Sequence, residues 1–383
     1  MTVITGDSRN GSEPLGRLLS HEANVADLLA YLVELDAAPL LGALGLRADD
    51  PGIRQEVSKG RSGRFDAFIM DDGRPIALIE LKVGATQHGD QFARYDTWAA
   101  ENGKVPCFLV SLDKETPAAP KHWGQHLLPD LLAGWARSPS ETARVLALAM
   151  EHALRDVLNQ TALPLGDAKR TAVAIAFRHL DYQVYQRISD PDLCGGARRT
   201  SGGQPSLMLF ERHPRALSGQ EWLCVDLRSE ADRSSPWKLR LGVEVDPIKD
   251  EEGRADEASV SFARIRAHDL AVSMRGALRT SSFATHLRRA GHQDIADLFM
   301  VRTDDGLLHL RDEDALLQWR VAAESGDLAK GRGKLQRHPL FNHDKGLRLV
   351  SLSYLDYQQS TVVQLTTLVT EALAYLKQAA AQQ

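Results

Sequence analysis

Apolar and polar positions along the chain follow two regimes. In the first, helical and strand periods alternate. From Glu13 to Asp36 the run LGRLLSHEANVADLLAYLVEL repeats its apolar residues at helical spacing, which predicts one first helix with Glu22 in its middle. Ile53 to Val57 is a short strand candidate that ends near Glu56. Arg64 to Met70 and Pro75 to Lys82 are apolar-rich runs separated by Asp71-Asp72-Gly73, the pattern of a β-hairpin. Thr86 to Asn102 then reads as a helix, and Val105 to Ser111 as a strand, giving the order αβββαβ.

After Pro117 the pattern turns helical. Ser138-Pro139-Ser140-Glu141 has the form of a helix start, with a serine cap, an early proline and a capping-box glutamate, and the helix runs towards Gln160. Another helix is predicted over Asp167 to Leu180, and Trp123 and Trp135 are expected to pack in the core. In the second regime, Tyr182 to Ile188, Ser206 to Phe210, Glu221 to Leu227, Lys238 to Val245 and Ser259 to Arg266 carry β-branched or aromatic residues between turn residues, so a β-rich region is expected. The glycine- and serine-rich stretch CGGARRTSGGQPS reads as a loop between them. Helices are expected over Asp312 to Glu324 and Thr361 to Ala380, with GDLAKGRGKLQ as the loop between them. The fold expected is α/β, with residues 1–160 as a first domain plus helical extension and 161–383 as an α+β second domain. No internal repeat, P-loop or dinucleotide fingerprint is present, which excludes a nucleotide-driven motor of those types.

Readable chemistry is concentrated between Arg64 and Tyr95. Side chains alternate along a strand, so Asp66 shares a face with Phe68 and Met70, and Glu80 shares one with Ile76, Leu78 and Lys82. If an odd number of residues closes the hairpin, Asp66 and Glu80 fall on the same face, with Lys82 beside them. A Glu-x-Lys triplet alone is common in any charged protein. Here Ile76 to Leu81 is otherwise almost wholly apolar, so Glu80 belongs to a buried run and needs a partner or a metal. Two converging carboxylates suit a hard divalent cation such as Mg2+, and a neighbouring ammonium suits the charge developed in phosphoryl chemistry. On the following helix Gln91, Tyr95 and Trp98 lie on one face.

This set, Asp66, then Glu80-Leu81-Lys82, then Gln91-Phe-Ala-Arg-Tyr95, resembles the PD-(D/E)XK nuclease superfamily in the branch with a QxxxY motif. The resemblance covers roughly Gly11 to Leu112, and departs from the family in having Phe65 where a proline usually precedes the aspartate. It implies a restriction-endonuclease-like core with a central mixed sheet and Mg2+-dependent hydrolysis of DNA phosphodiester bonds, with Mn2+ substituting. On this resemblance Asp66 and Glu80 are metal ligands, Lys82 is catalytic, and Gln91 and Tyr95 position the lysine or a phosphate. Glu22, by its place on the first helix, completes the metal site, with Glu56 a weaker candidate for that job. A homodimer follows if both strands are cut, and a role in restriction or phage defence rests on analogy of fold. The alternatives are a nucleic-acid-binding module that kept the fold without turnover, and an interaction protein in which Glu80 and Lys82 are a buried pair.

Composition changes the picture only slightly. At 383 residues, 43% hydrophobic and 25% charged, the chain is ordinary for a globular protein, and its net charge of -5 carries no global nucleic-acid signature. Distribution matters more than the sum: Arg264, Arg266, Arg275, Arg279, Arg288 and Arg289 face one acid, Asp269, within a short stretch, a candidate phosphate-facing patch. Glu244 and Asp246 share a strand face but lack a following lysine and read as surface or edge residues. Cys107, Cys194 and Cys224 lack C-x-x-C spacing, and His21 and His88 lack a second histidine at ligand spacing. No long apolar run and no signal-peptide core are visible, so a cytoplasmic location is expected by default.

Overall fold

The computed structural model describes residues 12–58, 64–83, 91–114, 119–188, 192–199, 205–217, 220–228, 237–308, 313–330, 334–356 and 359–382. The chain forms two compact units, Met1–Leu163 with Asp167–Tyr182, and Pro164–Gly166 with Gln183–Gln383. The first unit thus takes in most of a helix that the sequence placed beyond residue 160.

The first unit opens with α1 (Ser12–Leu18), α2 (Glu22–Leu35) and α3 (Ala38–Leu44). The single helix expected over Glu13 to Asp36 is broken, because Asn24 Nδ2 donates to the Leu18 carbonyl at 2.9 Å and closes the end of α1. Glu22 therefore begins α2 instead of sitting mid-helix. β1 (Pro51–Ser58), β2 (Arg64–Asp71) and β3 (Arg74–Lys82) follow, then α4 (Gln91–Glu101), β4 (Cys107–Ser111) and β5 (Gly124–Leu127). The fifth strand was not foreseen in the stretch after Pro117, which also holds α5 (Leu128–Ala133) and α6 (Glu141–Thr161). The cap of α6 is Ser140, whose hydroxyl accepts from Ala143 N; Ser138 instead caps the turn before it. α7 (Arg170–Arg187) completes the unit through Tyr182.

These strands form a five-stranded mixed sheet in the order β1-β2-β3-β4-β5. The first three are antiparallel neighbours, while β3, β4 and β5 run parallel. One face carries Ala67, Ile69, Ala77, Ile79 and Leu81 into the main core, with Leu29 and Leu32 of α2 and Met150 and Leu154 of α6. The other carries Phe68, Leu78 and Leu109 against Phe92, Tyr95 and Trp98 of α4.

The hairpin register decides what reaches that second face. Its turn is Asp72-Gly73, with φ of 46° and 72°, and Asp71 pairs with Arg74 and Met70 with Pro75. Continued unchanged, this register would set Asp66 against Ile79 and leave Glu80 on the opposite face. A bulge intervenes at Ile76, so that Ala77 pairs with Ile69 and Ile79 with Ala67. Asp66 and Glu80 then share a face. The odd count anticipated from sequence is met by a two-residue turn plus one bulged residue.

The second unit contains β6 (Cys194–Arg199), β7 (Pro205–Arg212), β8 (Glu221–Arg228), β9 (Trp237–Val245), α8 (Glu257–Ser273), α9 (Thr280–Arg289), α10 (Gln293–Ala296), α11 (Glu313–Glu324), β10 (Ala329–Lys330), β11 (Lys334–Leu335), β12 (Asn342–Asp344), β13 (Arg348–Leu355) and α12 (Val362–Ala381). Its main sheet is antiparallel and six-stranded, in the order β12-β13-β9-β8-β7-β6. Five sequence expectations fail here. Tyr182 to Ile188 lies mainly in α7, where Val184 continues the buried stripe of Ile175, Ala176 and Leu180. Ser259 to Arg266 lies in α8, whose Asp256 cap and fully buried Ala263, Ala267 and Ala271 at four-residue spacing outweigh the strand preference of Val260, Phe262 and Ile265. CGGARR is an edge strand, made possible by φ of 116° and 137° at Gly195 and Gly196, and part of GDLAKGRGKLQ forms the β10–β11 pair. Glu244 is not at an edge either: β9 is interior, and Glu244 pairs with Arg348 on β13.

The turn that sets the hairpin is open to test. Gly73→Ala places a side chain where φ is 72° and should lower stability by about 1 kcal/mol in urea unfolding, with Gly73→Asn costing less. An unchanged unfolding midpoint for the alanine variant would show that this turn does not hold the register.

Candidate functional site

Glu80 lies near the end of β3, in a segment paired on one side with β4 and covered by α4. It is fully buried (0% exposed), and Lys82, two residues on and on the same face, is 3% exposed. Lys82 Nζ donates to Glu80 Oε1 in a short ion pair. Gln91 Nε2 on α4 donates to the same oxygen at 2.6 Å and to Tyr95 Oη at 2.8 Å. Glu80 Oε2 and Gln91 Oε1 are buried without a partner among the described residues. Asp66 Oδ2, opposite on β2, accepts from the Leu81 amide at 2.9 Å. Thus Asp66, Glu80, Lys82, Gln91 and Tyr95 converge on one end of one sheet face.

Phe65, which stands where the resembled family has proline, has its own task. It is fully buried, and its ring centre lies 4.4 Å from that of Tyr95 and 5.1 Å from that of Trp98; Phe68 lies 4.7 Å from Trp98. Such contacts are worth about 0.5–1.5 kcal/mol each beyond area burial. They seat the Gln91 and Tyr95 face of α4 over Glu80.

Among the described residues of this group, three carboxyls, Glu80, Asp66 and Glu22, act on one ammonium, Lys82. Burial raises the Glu80 carboxyl to about 8, against the pull of Lys82, and Asp66 and Glu22 push it further up. Burial acts to lower Lys82, yet Glu80, then Glu22 and Asp66, outweigh it and hold the ammonium above its ordinary value. Tyr95 is also raised, by burial first and then by Glu80, so it remains a neutral phenol. The Glu22 carboxylate enters from α2 and accepts from the Val83 amide at 3.3 Å. Glu56 lies on β1, and its side chain falls outside the described residues.

Sequence reasoning missed Arg178. This α7 residue is 4% exposed, and its Nη1 donates to the carbonyls of Lys82 at 3.1 Å and Val83 at 2.7 Å. Its Nη2 pairs with Asp113, whose same oxygen meets His179 Nε2 at 2.7 Å. Arg178 thereby pins the backbone that carries the lysine. The signal was a charged pair, Arg178-His179, inside the apolar run AVAIAF and Leu180.

Other candidates lie apart from this group. Arg264 donates to the Lys345 carbonyl at 3.1 Å, Arg266 makes a two-bond pair with buried Glu221, Arg275 pairs with Glu313 at 2.6 Å, and Arg279 lies 3.6 Å from Asp305. The stretch is therefore largely engaged with acceptors of the protein itself. Cys107 and Cys224 are buried free thiols, while Cys194 is free and exposed. His21 precedes α2 and is exposed; His88 lies outside the described residues. No helix among the described residues is long and apolar enough to cross a membrane.

A carboxyl raised by burial penalises the fold once it must ionise. Between the unfolded carboxyl range and about 8 the folded state binds more protons, so stability falls as pH rises through that window. In metal-free buffer the melting temperature should drop between about pH 5 and pH 8, and Glu80→Gln should flatten the drop; parallel pH profiles for variant and parent would contradict it. In comparisons with known proteins, no family model, no curated protein and no solved structure matches the chain.

Proposed function

We propose that the first unit is a Mg2+-dependent nuclease of the PD-(D/E)XK type that hydrolyses DNA phosphodiester bonds. The observation that carries this reading is the buried Glu80 Oε2, without a partner among the described residues, set beside Lys82 and on the face that the bulge gives to Asp66. A buried carboxylate oxygen without a donor is costly unless a cation meets it. Around Glu80, Glu22 and Asp66 the ammonium of Lys82 leaves the charge under-compensated. The residues present therefore suit a hard divalent ion, held by Asp66 and Glu80, with Glu22 near. The order of α2, α3, β1, β2, β3, α4 and β4, with the sheet turning from antiparallel to parallel at β3, supports a restriction-endonuclease-like core.

A bound Mg2+ would supply Lewis acidity towards the phosphate and a more acidic water. The chain's own residues provide the rest. Lys82, raised and protonated, offers a positive charge to the phosphate oxygens as negative charge builds up on them. Gln91 holds Glu80 Oε1 and the Tyr95 hydroxyl in one line, which fixes the rotamer of the carboxylate next to the lysine. Arg178 fixes the backbone beneath it.

One observation favours a second reading. Among the described residues, no group of three or more His, Cys, Asp or Glu side chains is arranged to hold a metal ion. In that reading Glu80 and Lys82 are a structural ion pair. The two are separated by metal binding: Mn2+ or Mg2+ should raise the melting temperature of the parent and leave Glu80→Ala unmoved, with saturation at a hundred times Kd giving about 2.7 kcal/mol. No shift with the parent would support the structural pair.

Cleavage separates the roles further. With plasmid and single-stranded DNA in Mg2+, Lys82→Ala should bind substrate and metal but lose cleavage by at least about a hundredfold, whereas Glu80→Ala should lose metal binding and cleavage together. Gln91→Ala and Tyr95→Phe should fall between them, because they position rather than react. Parental rates for Lys82→Ala would refute the assignment.

A further inference from the structure

We propose that the second unit carries a two-proton acid switch: in mild acid His268 on α8 and His338 take up protons, the hydrogen bond between them breaks, and residues 336–341 let go of α8 and α11. This inference goes beyond the proposed hydrolysis and does not rest on it.

The hydrogen bonds assign the protons. His338 Nδ1 accepts from the amides of Leu340 at 3.1 Å and Phe341 at 3.2 Å, so it carries no proton itself. The neutral ring then holds its proton on Nε2, which faces His268 Nδ1 at 3.1 Å. That makes His268 Nδ1 the acceptor and puts the His268 proton on its Nε2. Each ring is neutral in one tautomer, and the lone pair of each is already taken. A further proton on His268 would set N–H against N–H across the pair, and one on His338 would set N–H against two backbone amides. Neither ring can charge in place.

Packing keeps water from the rings. Both are buried, and the fully buried Trp319 of α11 stacks on His268 with ring centres 5.5 Å apart and meets His338 edge-on at 4.7 Å. Trp319 Nε1 donates to the Gln336 carbonyl at 3.3 Å, and the Phe341 ring lies 5.2 Å from His338. Little charge is at hand to compensate a proton. Asp269 and Arg320 face His268 with opposite signs and bond each other at 3.1 Å, and Arg320 also reaches Glu324 at 2.9 Å. His343 faces His338, and its Nδ1 is buried without a partner among the described residues. Asp344, Arg337 and Arg264 face His343 in turn. Burial lowers His338 to about 3, with His268 and His343 adding to the effect, and burial lowers His268 as well. With both rings held below the free value of about 6.5, the released state binds more protons, so the closed state is fully favoured above that pH and loses ground below it. Release uncovers Trp319 and Phe341.

Hydrogen exchange of the full chain, read by mass spectrometry on peptides spanning residues 336–344 and corrected for intrinsic rates, tests this. Between about pH 7.5 and pH 5 the protection of these amides should fall by about a hundredfold or more, while the interior strands β8 and β9 stay protected. His268→Asn, whose Oδ1 can replace Nδ1 as the acceptor from His338 but takes no proton, should lower the slope of log protection against pH by about one. His338→Asn, whose Oδ1 can accept the Leu340 and Phe341 amides, should do the same, and it carries the test alone if the first variant fails to fold by circular dichroism. Protection that stays constant with pH, or an unmoved slope in a folded variant, overturns the proposal. So does a parallel loss of protection in β8 and β9, which would mark general acid unfolding. No nuclease activity enters the readout, so failure of the hydrolytic reading leaves this outcome untouched.

Discussion

Burying Glu80 is the constraint on which the first unit turns. A carboxylate in the middle of a sheet, covered by a helix, loses its water and has to be repaid by donors placed with care. The chain supplies two, Lys82 from the same strand and Gln91 from the helix laid over it, while Asp66 and Glu22 keep the lysine protonated and push the Glu80 carboxyl further up. Even the aromatic packing serves this end. Phe65 and Phe68 set Tyr95 and Trp98 against the sheet, and so decide which side of α4 looks at the carboxylate.

That assembly depends on one extra residue. With the register of the turn continued, Asp66 and Glu80 would lie on opposite faces of the sheet. The bulge at Ile76 reverses this for every pair beyond it. It sits between the turn and the chemistry, so the turn can keep its favoured Asp-Gly form while the strand ends in the other register. Arg178 then acts at the opposite end, holding the carbonyls of Lys82 and Val83 where β3 leaves the sheet.

Much of this was legible in the sequence because it is local. The hairpin, the Glu-x-Lys triplet and the Gln-x-x-x-Tyr face all lie within a few turns of chain, where period and spacing speak directly. What lay outside reach was long-range. Arg178 is 96 residues from Lys82, and nothing in an apolar helix says which backbone its arginine will hold. At the break between α1 and α2 the side chains of Ser20 and Asn24 take up the carbonyls of Arg17 and Leu18, and the fifth strand is too short to show a period. In the second unit, β-branched and aromatic residues misled: α8 contains Val260, Phe262 and Ile265, but its buried face is a ladder of alanines. Conversely, glycines that normally signal a loop made a strand possible at β6, since Gly195 comes so close to the Met208 carbonyl that no side chain would fit.

Charge placement separates the two units more sharply than net charge does. Among the described residues around Glu80, three carboxyls act on one ammonium, so a proton on Glu80 eases the imbalance. At low pH that proton is in place. As pH rises towards about 8 the carboxyl ionises at a cost that only a cation can offset. In the second unit a single buried acid, Asp226, anchors two guanidinium groups, those of Arg228 and Arg240. In each case a buried carboxylate orders its neighbours. What differs is the number of cations tied to it, one ammonium at Glu80 and two guanidinium groups at Asp226.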